Sequence, residues 1–117
     1  MILRNGTLIT NEATMGESGE RWPFAGSLLD KAGGSEVATN AELCTRLNDL
    51  DMWICSGTMK DIPNCAGQFT YEGIYQDDVG GLYTILGGTE DFCGVNGYID
   101  DKFDPVSEAS VLKVNLY

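Results

Sequence analysis

Hydrophobic and polar residues alternate along most of this chain in a two-residue rhythm. In the stretch Arg21–Leu28, Trp22, Phe24, Gly26 and Leu28 fall on one side and Arg21, Pro23, Ala25 and Ser27 on the other. From Gln68 to Tyr75, Phe69, Tyr71, Gly73 and Tyr75 alternate with Gln68, Thr70, Glu72 and Ile74. A period of two is the mark of strands with one buried face, because successive side chains point to opposite sides of a pleated backbone. The aromatic sides are expected to be interior. Two further segments are ambiguous. Val37, Ala41, Leu43 and Leu47 oppose Asn40, Glu42, Cys44 and Arg46, and Met52 and Ile54 oppose Trp53, Cys55 and Gly57. Patterning alone would turn Leu43 inward.

Clusters of Gly, Pro, Asn and Asp separate the alternating segments, as at Gly16–Gly19, Asn48–Asp51, Ile62–Asn64, Asp77–Gly81, Gly87–Asp91 and Asp104–Pro105. These residues supply positive φ angles or self-bonded turns. Eight strands are expected, at about 2–12, 20–30, 36–47, 51–60, 67–76, 82–87, 92–101 and 109–117. No segment has a helical period. Eight short strands joined by short turns most simply close into an all-β, eight-stranded antiparallel up-and-down (calycin-like) barrel, either filled or holding one small ligand.

The 117 residues suffice for one domain, 1–117, and 43% of them are hydrophobic, enough for a core. Eighteen acidic against seven basic residues give a net charge of −11. That field disfavours nucleic acid and anionic membranes as partners. The chain has no His, which excludes His-based triads and His metal sites. No metal or cofactor is expected. The first residues lack the basic-then-apolar pattern of a secretory signal, so a cytoplasmic location is expected. Four cysteines, Cys44, Cys55, Cys65 and Cys93, show no CxxC spacing. The Gly87-Gly88 pair lacks the Lys of a phosphate loop and reads as a turn. The acidic pairs Asp77-Asp78 and Asp100-Asp101 read as solvated loop charge rather than as a Ca²⁺ site.

Several segments, in order, resemble a known family. Gly19-Glu20-Arg21-Trp22-Pro23-Phe24, Leu29-Asp30 and Glu42-Leu43-Cys44 resemble the G-D-x-x-P-F, L-Y-D and G-L-C segments of allene oxide cyclases. Gly67-Gln68 with Glu72-Gly73-Ile74-Tyr75 resembles their fifth strand. Ile85-Leu86-Gly87-Gly88-Thr89 with Phe92–Gly97 resembles a glycine signature shared with dirigent proteins and with bacterial barrel cyclases of polyketide pathways. The resemblance covers roughly residues 19–100. It implies an eight-stranded barrel with a ligand-sized apolar cavity and an intramolecular cyclase activity. One signature glycine is replaced by Glu90, at a turn position where φ > 0 would strain a side chain. The Glu-x-Asn pair of the plant enzymes has no counterpart in Thr10-Asn11-Glu12.

The resemblance places Trp22, Phe24, Cys44, Trp53 and Tyr75 inside. Alternation then turns Asn40, Glu42, Arg46 and Cys55 inward and leaves Leu43, Leu47, Met52 and Ile54 outside. An apolar outer face implies a homo-oligomer, a dimer in preference to a trimer. The expected substrate site comprises Trp22, Phe24, Asn40, Cys44, Trp53, Phe69 and Tyr75. Glu42, Arg46 and Tyr71 are the expected catalytic groups, with Glu42 transferring a proton or anchoring substrate and Arg46 orienting an anionic head group near a mouth. If the third and fourth strands form a hairpin, Cys44 and Cys55 are neighbours. A disulfide or two inert thiols fits them better than a nucleophile, since no His or cation-rich pocket activates them.

The expected function is therefore a cofactor-independent cyclase that folds an apolar small molecule into a reactive shape, a ring closure such as a polyketide Diels–Alder step. The alternatives are a dirigent-like or lipocalin-like barrel that only binds, and a secreted structural barrel with Cys44 and Cys55 bridged. The same aromatic residues could simply fill the core.

Overall fold

The computed structural model describes residues 6–15, 21–31, 33–47, 52–106 and 109–117, with the side chains of 6–15 and of Phe24 not included. Eight strands run in chain order: β1 (Gly6–Met15), β2 (Arg21–Leu29), β3 (Glu36–Arg46), β4 (Met52–Lys60), β5 (Gln68–Gln76), β6 (Gly80–Gly88), β7 (Gly97–Asp104) and β8 (Ala109–Leu116). Each pairs antiparallel with the next, and β8 returns to β1 through Gly6↔Val114 to Ile9↔Val111, closing the barrel. Closure pairs every strand on both sides, so no sheet edge is left to aggregate. The barrel is flattened, 41 × 30 × 20 Å.

The two aromatic alternations of the sequence point inward. Leu28, Phe69 and Tyr71 are buried, and Trp22 and Tyr75 pack against the core. The ambiguity of β3 resolves with Asn40 and Cys44 buried and Leu43 exposed. In β4, Trp53 and Cys55 are buried and Ile54 is exposed. Leu47 and Met52 are half-buried. The expected turns over residues 16–19 and 48–51, and the expected beginning of the first strand, lie outside the described residues.

Two boundaries differ from expectation. The sixth strand begins at Gly80, because Gly80 adopts φ 125° and joins the ladder opposite Lys102. The seventh begins at Gly97, not near residue 92. Residues Glu90–Phe92 form a single 3₁₀ turn instead, the one helical element among the described residues. The run Phe92-Cys93-Gly94-Val95 looks apolar enough for a strand. Its purpose is to plug one end of the barrel: Phe92 is fully buried against Phe69, ring centroids 5.2 Å apart, and Val95 and Ile62 are buried with it. The plug is tied down by Thr89 N–H to Gln68 O (2.8 Å) and Ala66 N–H to Asp91 Oδ2 (2.7 Å).

Glu90 sits at φ 53°. The left-handed region costs an L-residue about 1–2 kcal/mol, and glycine almost nothing. Glu90→Gly is therefore expected to stabilise the barrel by roughly 1 kcal/mol. A higher urea midpoint at unchanged m-value would show it.

Candidate functional site

The end opposite the plug is built from the start of β2 and β4 and the end of β3 and β5. Trp22 and Trp53 meet edge to face there, centroids 5.9 Å apart. Trp53 is oriented by its indole N–H, which donates to Asp77 Oδ1 at 2.8 Å. Arg46 lies with its guanidinium carbon 4.9 Å from the Trp53 ring centroid and pairs with Asp77 Oδ2 at 3.4 Å. Arg46 thus stands at the rim, with Trp53 and Asp77 as its partners. Tyr75, half-buried, is paired in register with Trp53.

Beneath this mouth lie two tyrosines placed by two glycines. In the ladder Gly57 is opposite Tyr71, and Gly73 is opposite Tyr83. A Cβ at Gly57 would come within 2.6 Å of the Tyr71 ring and hydroxyl, and one at Gly73 within 2.8 Å of the Tyr83 ring. Each glycine leaves an interior gap that the facing tyrosine fills, so both rings lie flat across the barrel and pack at 5.4 Å. The Tyr71 hydroxyl accepts from Asn40 Nδ2 (3.4 Å) and reaches the Glu42 carboxylate. The Tyr83 hydroxyl donates to Asp101 Oδ2 at 3.0 Å.

Asp101 was expected in a solvated loop. It belongs instead to β7, where it follows the buried Ile99 by two residues, and it is only 6% exposed. The alternation Ile99–Asp101 held the signal, hidden by reading the strand too early. Tyr83, two residues before the buried Ile85, carried the same signal against the apolar Leu82 and Leu86 on the opposite face.

Two carboxylates thus share the interior. Glu42 is pushed from 4.5 to about 7, chiefly by burial, opposed by the Tyr71 hydrogen bond and reinforced by the charge of Asp101. Asp101 rises from 3.8 to about 6, again by burial first, with Tyr83 and Ser110 hydrogen bonds opposing and Asp100 adding. Oδ1 of Asp101 is buried without a hydrogen-bond partner. Tyr71 and Tyr83 are both raised, by burial and then by these carboxylates. Tyr75 is pushed up to about 12 by burial and by Asp101, Asp77, Asp78 and Glu42, in that order. Its hydroxyl therefore feels acidic groups at the rim and on the floor alike.

Cys44 and Cys55, directly opposed in register, form a disulfide (S–S 2.03 Å). Cys44 Sγ lies 3.7 Å from a Glu42 carboxylate oxygen. A disulfide sulfur has no proton to donate, so this is a packing contact. One ligand atom each from Glu42, Cys44 and Cys55 lies within 4.8 Å of the others. With the sulfurs bonded to each other, that set offers a metal only one carboxylate. Cys44 is accordingly a wall of the site and neither a nucleophile nor a thiolate ligand. The bridge links residues 11 apart, and such short cross-links contribute about 2–4 kcal/mol. Replacing both cysteines by Ala should lower unfolding stability by roughly 2–3 kcal/mol in denaturant titrations.

The expected ten-residue site divides. Glu42, Tyr71 and Asn40 meet on the floor, and Trp22, Trp53, Tyr75 and Arg46 form the mouth. Phe69 does not join them: it is fully buried at the plugged end. The Phe24 side chain lies outside the described residues. Among the described residues, Tyr71, Tyr83, Phe69, Met59 and Ile99 are the large side chains buried inside the barrel. A groove of about 790 Å³ lies on the outer face, lined by exposed residues such as Pro23, Ala25, Ala41, Leu43 and Leu86. Small outward residues on adjacent strands leave this hollow. Of the described residues of the expected site, Glu42 and Tyr71 border it.

No family model matches the sequence, and no curated protein does. Among solved structures the barrel is similar to a pyocyanin demethylase, with a TM-score of 0.72 over 95% of this chain and 98% of that one, at 17% identity. At that identity the likeness is one of fold.

Proposed function

We propose that this barrel is a cofactor-independent enzyme of the cyclase or isomerase type, moving a proton on a small, largely apolar molecule held at the mouth formed by Trp22, Trp53 and Tyr75. Glu42 is the reacting group. The observation that carries the reading is a pair of interior carboxylates, Glu42 and Asp101, one of them with an unpartnered oxygen, placed below an aromatic mouth. Burying a carboxylate without a cation is costly, and a barrel built only to be stable would carry apolar residues there. A carboxyl group near pH 7 in a desolvated site can both give and take a proton. Asp101 acts through Glu42, as a positioning residue whose charge keeps the Glu42 proton on. The resemblance to bacterial barrel cyclases supports a ring-forming reaction, and the pyocyanin demethylase named above is an enzyme on the same fold.

A test independent of the natural substrate uses 5-nitrobenzisoxazole, a planar molecule that opens when a base removes its ring proton. The proton goes to the base, the N–O bond breaks, and a cyanophenolate is released. Saturable turnover lost in Glu42→Gln would support the reading. A rate no higher than that of free carboxylate buffer would leave the barrel a binder. That second reading is favoured by the large aromatic side chains Tyr71, Tyr83 and Phe69 buried inside the barrel.

The outer face bears on assembly. Ile54, Ile74 and Leu82 stand in one row across β4–β6, each exposed, and the groove of small residues lies beside them. Leu82 and Leu86 are 62% exposed. Ridge and hollow lie side by side on one face, with exposed Glu72 between them, and a second copy of this chain related by a two-fold axis, its ridge in this hollow, is the proposed occupant. Sedimentation should give a dimer at tens of micromolar, and Leu82→Glu with Ile74→Glu should give a monomer.

A further inference from the structure

Among the described residues the charged groups inside the barrel beneath the mouth are all acidic. Glu42 and Asp101 lie on the floor, and Asp77 and Asp78 approach Tyr75 from the rim. Among the described residues Lys31, Lys60, Lys102 and Lys113 are exposed, as is Arg21, so none reaches this space. Arg46 is the one cation at the mouth among them, and it is already paired with Asp77. The mouth itself is built of electron-rich faces. One of them, Trp53, already carries a planar delocalised cation, the Arg46 guanidinium, at 4.9 Å.

From this we infer that the molecule taken up at the mouth is a planar ring system bearing a delocalised positive charge, stacked among Trp22, Trp53 and Tyr75 with its charge toward Glu42 and Asp101. The inference rests on the reading of the mouth as the substrate site. Three features support it together. Aromatic faces attract cations through their quadrupole, most strongly where water is excluded. The Asp101 Oδ1 atom, buried and without a partner, is the kind of acceptor that a ligand charge or N–H completes. The chain's net charge of −11 draws cations toward the protein and repels anions. A positive charge on the ligand also makes its neighbouring C–H and N–H bonds more acidic, which suits a carboxylate as the proton acceptor. Arg46 then acts as a resident occupant of the Trp53 face, which an incoming ring displaces.

The test compares three probes of one shape and three charges: N-methylquinolinium, 1-methylnaphthalene and 1-naphthoate. Binding is followed by quenching of tryptophan fluorescence and by calorimetry at pH 8, where both interior carboxylates ionise. The cation is expected to bind at least about tenfold more tightly than the neutral ring, and the anion more weakly still. Glu42→Gln with Asp101→Asn should erase the preference for the cation while leaving binding of the neutral ring in place. Arg46→Gln should tighten cation binding by vacating the Trp53 face. Equal affinity for the cation and the neutral ring, or a preference that survives in Glu42→Gln/Asp101→Asn, overturns the charge assignment alone. Failure of all three probes to bind overturns the mouth as a substrate site, and this inference with it.

Discussion

Raising the pH from about 4 to about 8 is expected to destabilise this barrel by several kcal/mol, roughly 3 kcal/mol for each interior carboxylate at 1.36 kcal/mol per pKa unit. The sign follows from proton counting. Glu42 rises from 4.5 to about 7 and Asp101 from 3.8 to about 6 on folding. Between those limits the folded state holds more protons than the unfolded state, so unfolding releases them and a higher pH favours it. Below about pH 4 both groups are protonated in both states and the penalty vanishes. Above about pH 7 both are ionised in the folded barrel and the penalty is complete. Other acidic groups on this chain repel one another as they ionise, which adds to the same trend. Glu42→Gln and Asp101→Asn keep the shape and remove the titration. Each variant should flatten its part of the curve and exceed the wild type in stability at pH 8. Urea unfolding at pH 4, 6 and 8 measures this. A wild-type stability that climbs from pH 4 to 8, with the variants following it, would mean that the two carboxylates are paired or solvated.

Glu42→Gln should also cost roughly 10²-fold or more in turnover of 5-nitrobenzisoxazole, the usual contribution of a positioned base. The loss should fall on kcat rather than KM, because the amide fills the same space and leaves the aromatic mouth intact. The pH profile carries the stronger information. In the wild type the rate should rise with an inflection near 7, as Glu42 loses its proton. In Asp101→Asn the inflection should move lower, because the charge that helps hold the Glu42 proton is gone. A purely structural role for Asp101 would lower activity without moving the inflection. Retention of full activity in Glu42→Gln would remove Glu42 from the chemistry and leave shape alone to act on the ligand.

The barrel was legible in the sequence because a period-two pattern is local. Trp22–Leu28 and Phe69–Tyr75 need no partner to declare their inner face, and the Gly, Asn, Asp and Pro clusters mark where strands must turn. Even the strain at Glu90 could be read, since a glycine signature implies a backbone angle that a side chain resists. Position along a strand also brought Glu42, Asn40 and Cys44 to the same face. What alternation cannot give is depth. Phe69 and Tyr75 share one face of one strand, yet Phe69 is sealed by the Phe92 plug and Tyr75 stands at the mouth. That difference depends on which end of the barrel the 3₁₀ turn covers. Asp101 shows the same limit: next to Asp100 it reads as loop charge, and only the pairing of β7 between β6 and β8 turns it inward under Tyr83. The two tyrosines lie over glycines of the neighbouring strand, a fit that is set by register across the sheet. The sequence by itself determined the number and order of the strands, the inner faces of β2 and β5 and the acidic character of the chain, because these follow from side-chain chemistry and near-neighbour geometry. The tertiary structure alone decided which inward residues are plug, floor or mouth, because that depends on how strands distant in the chain are aligned when the barrel closes.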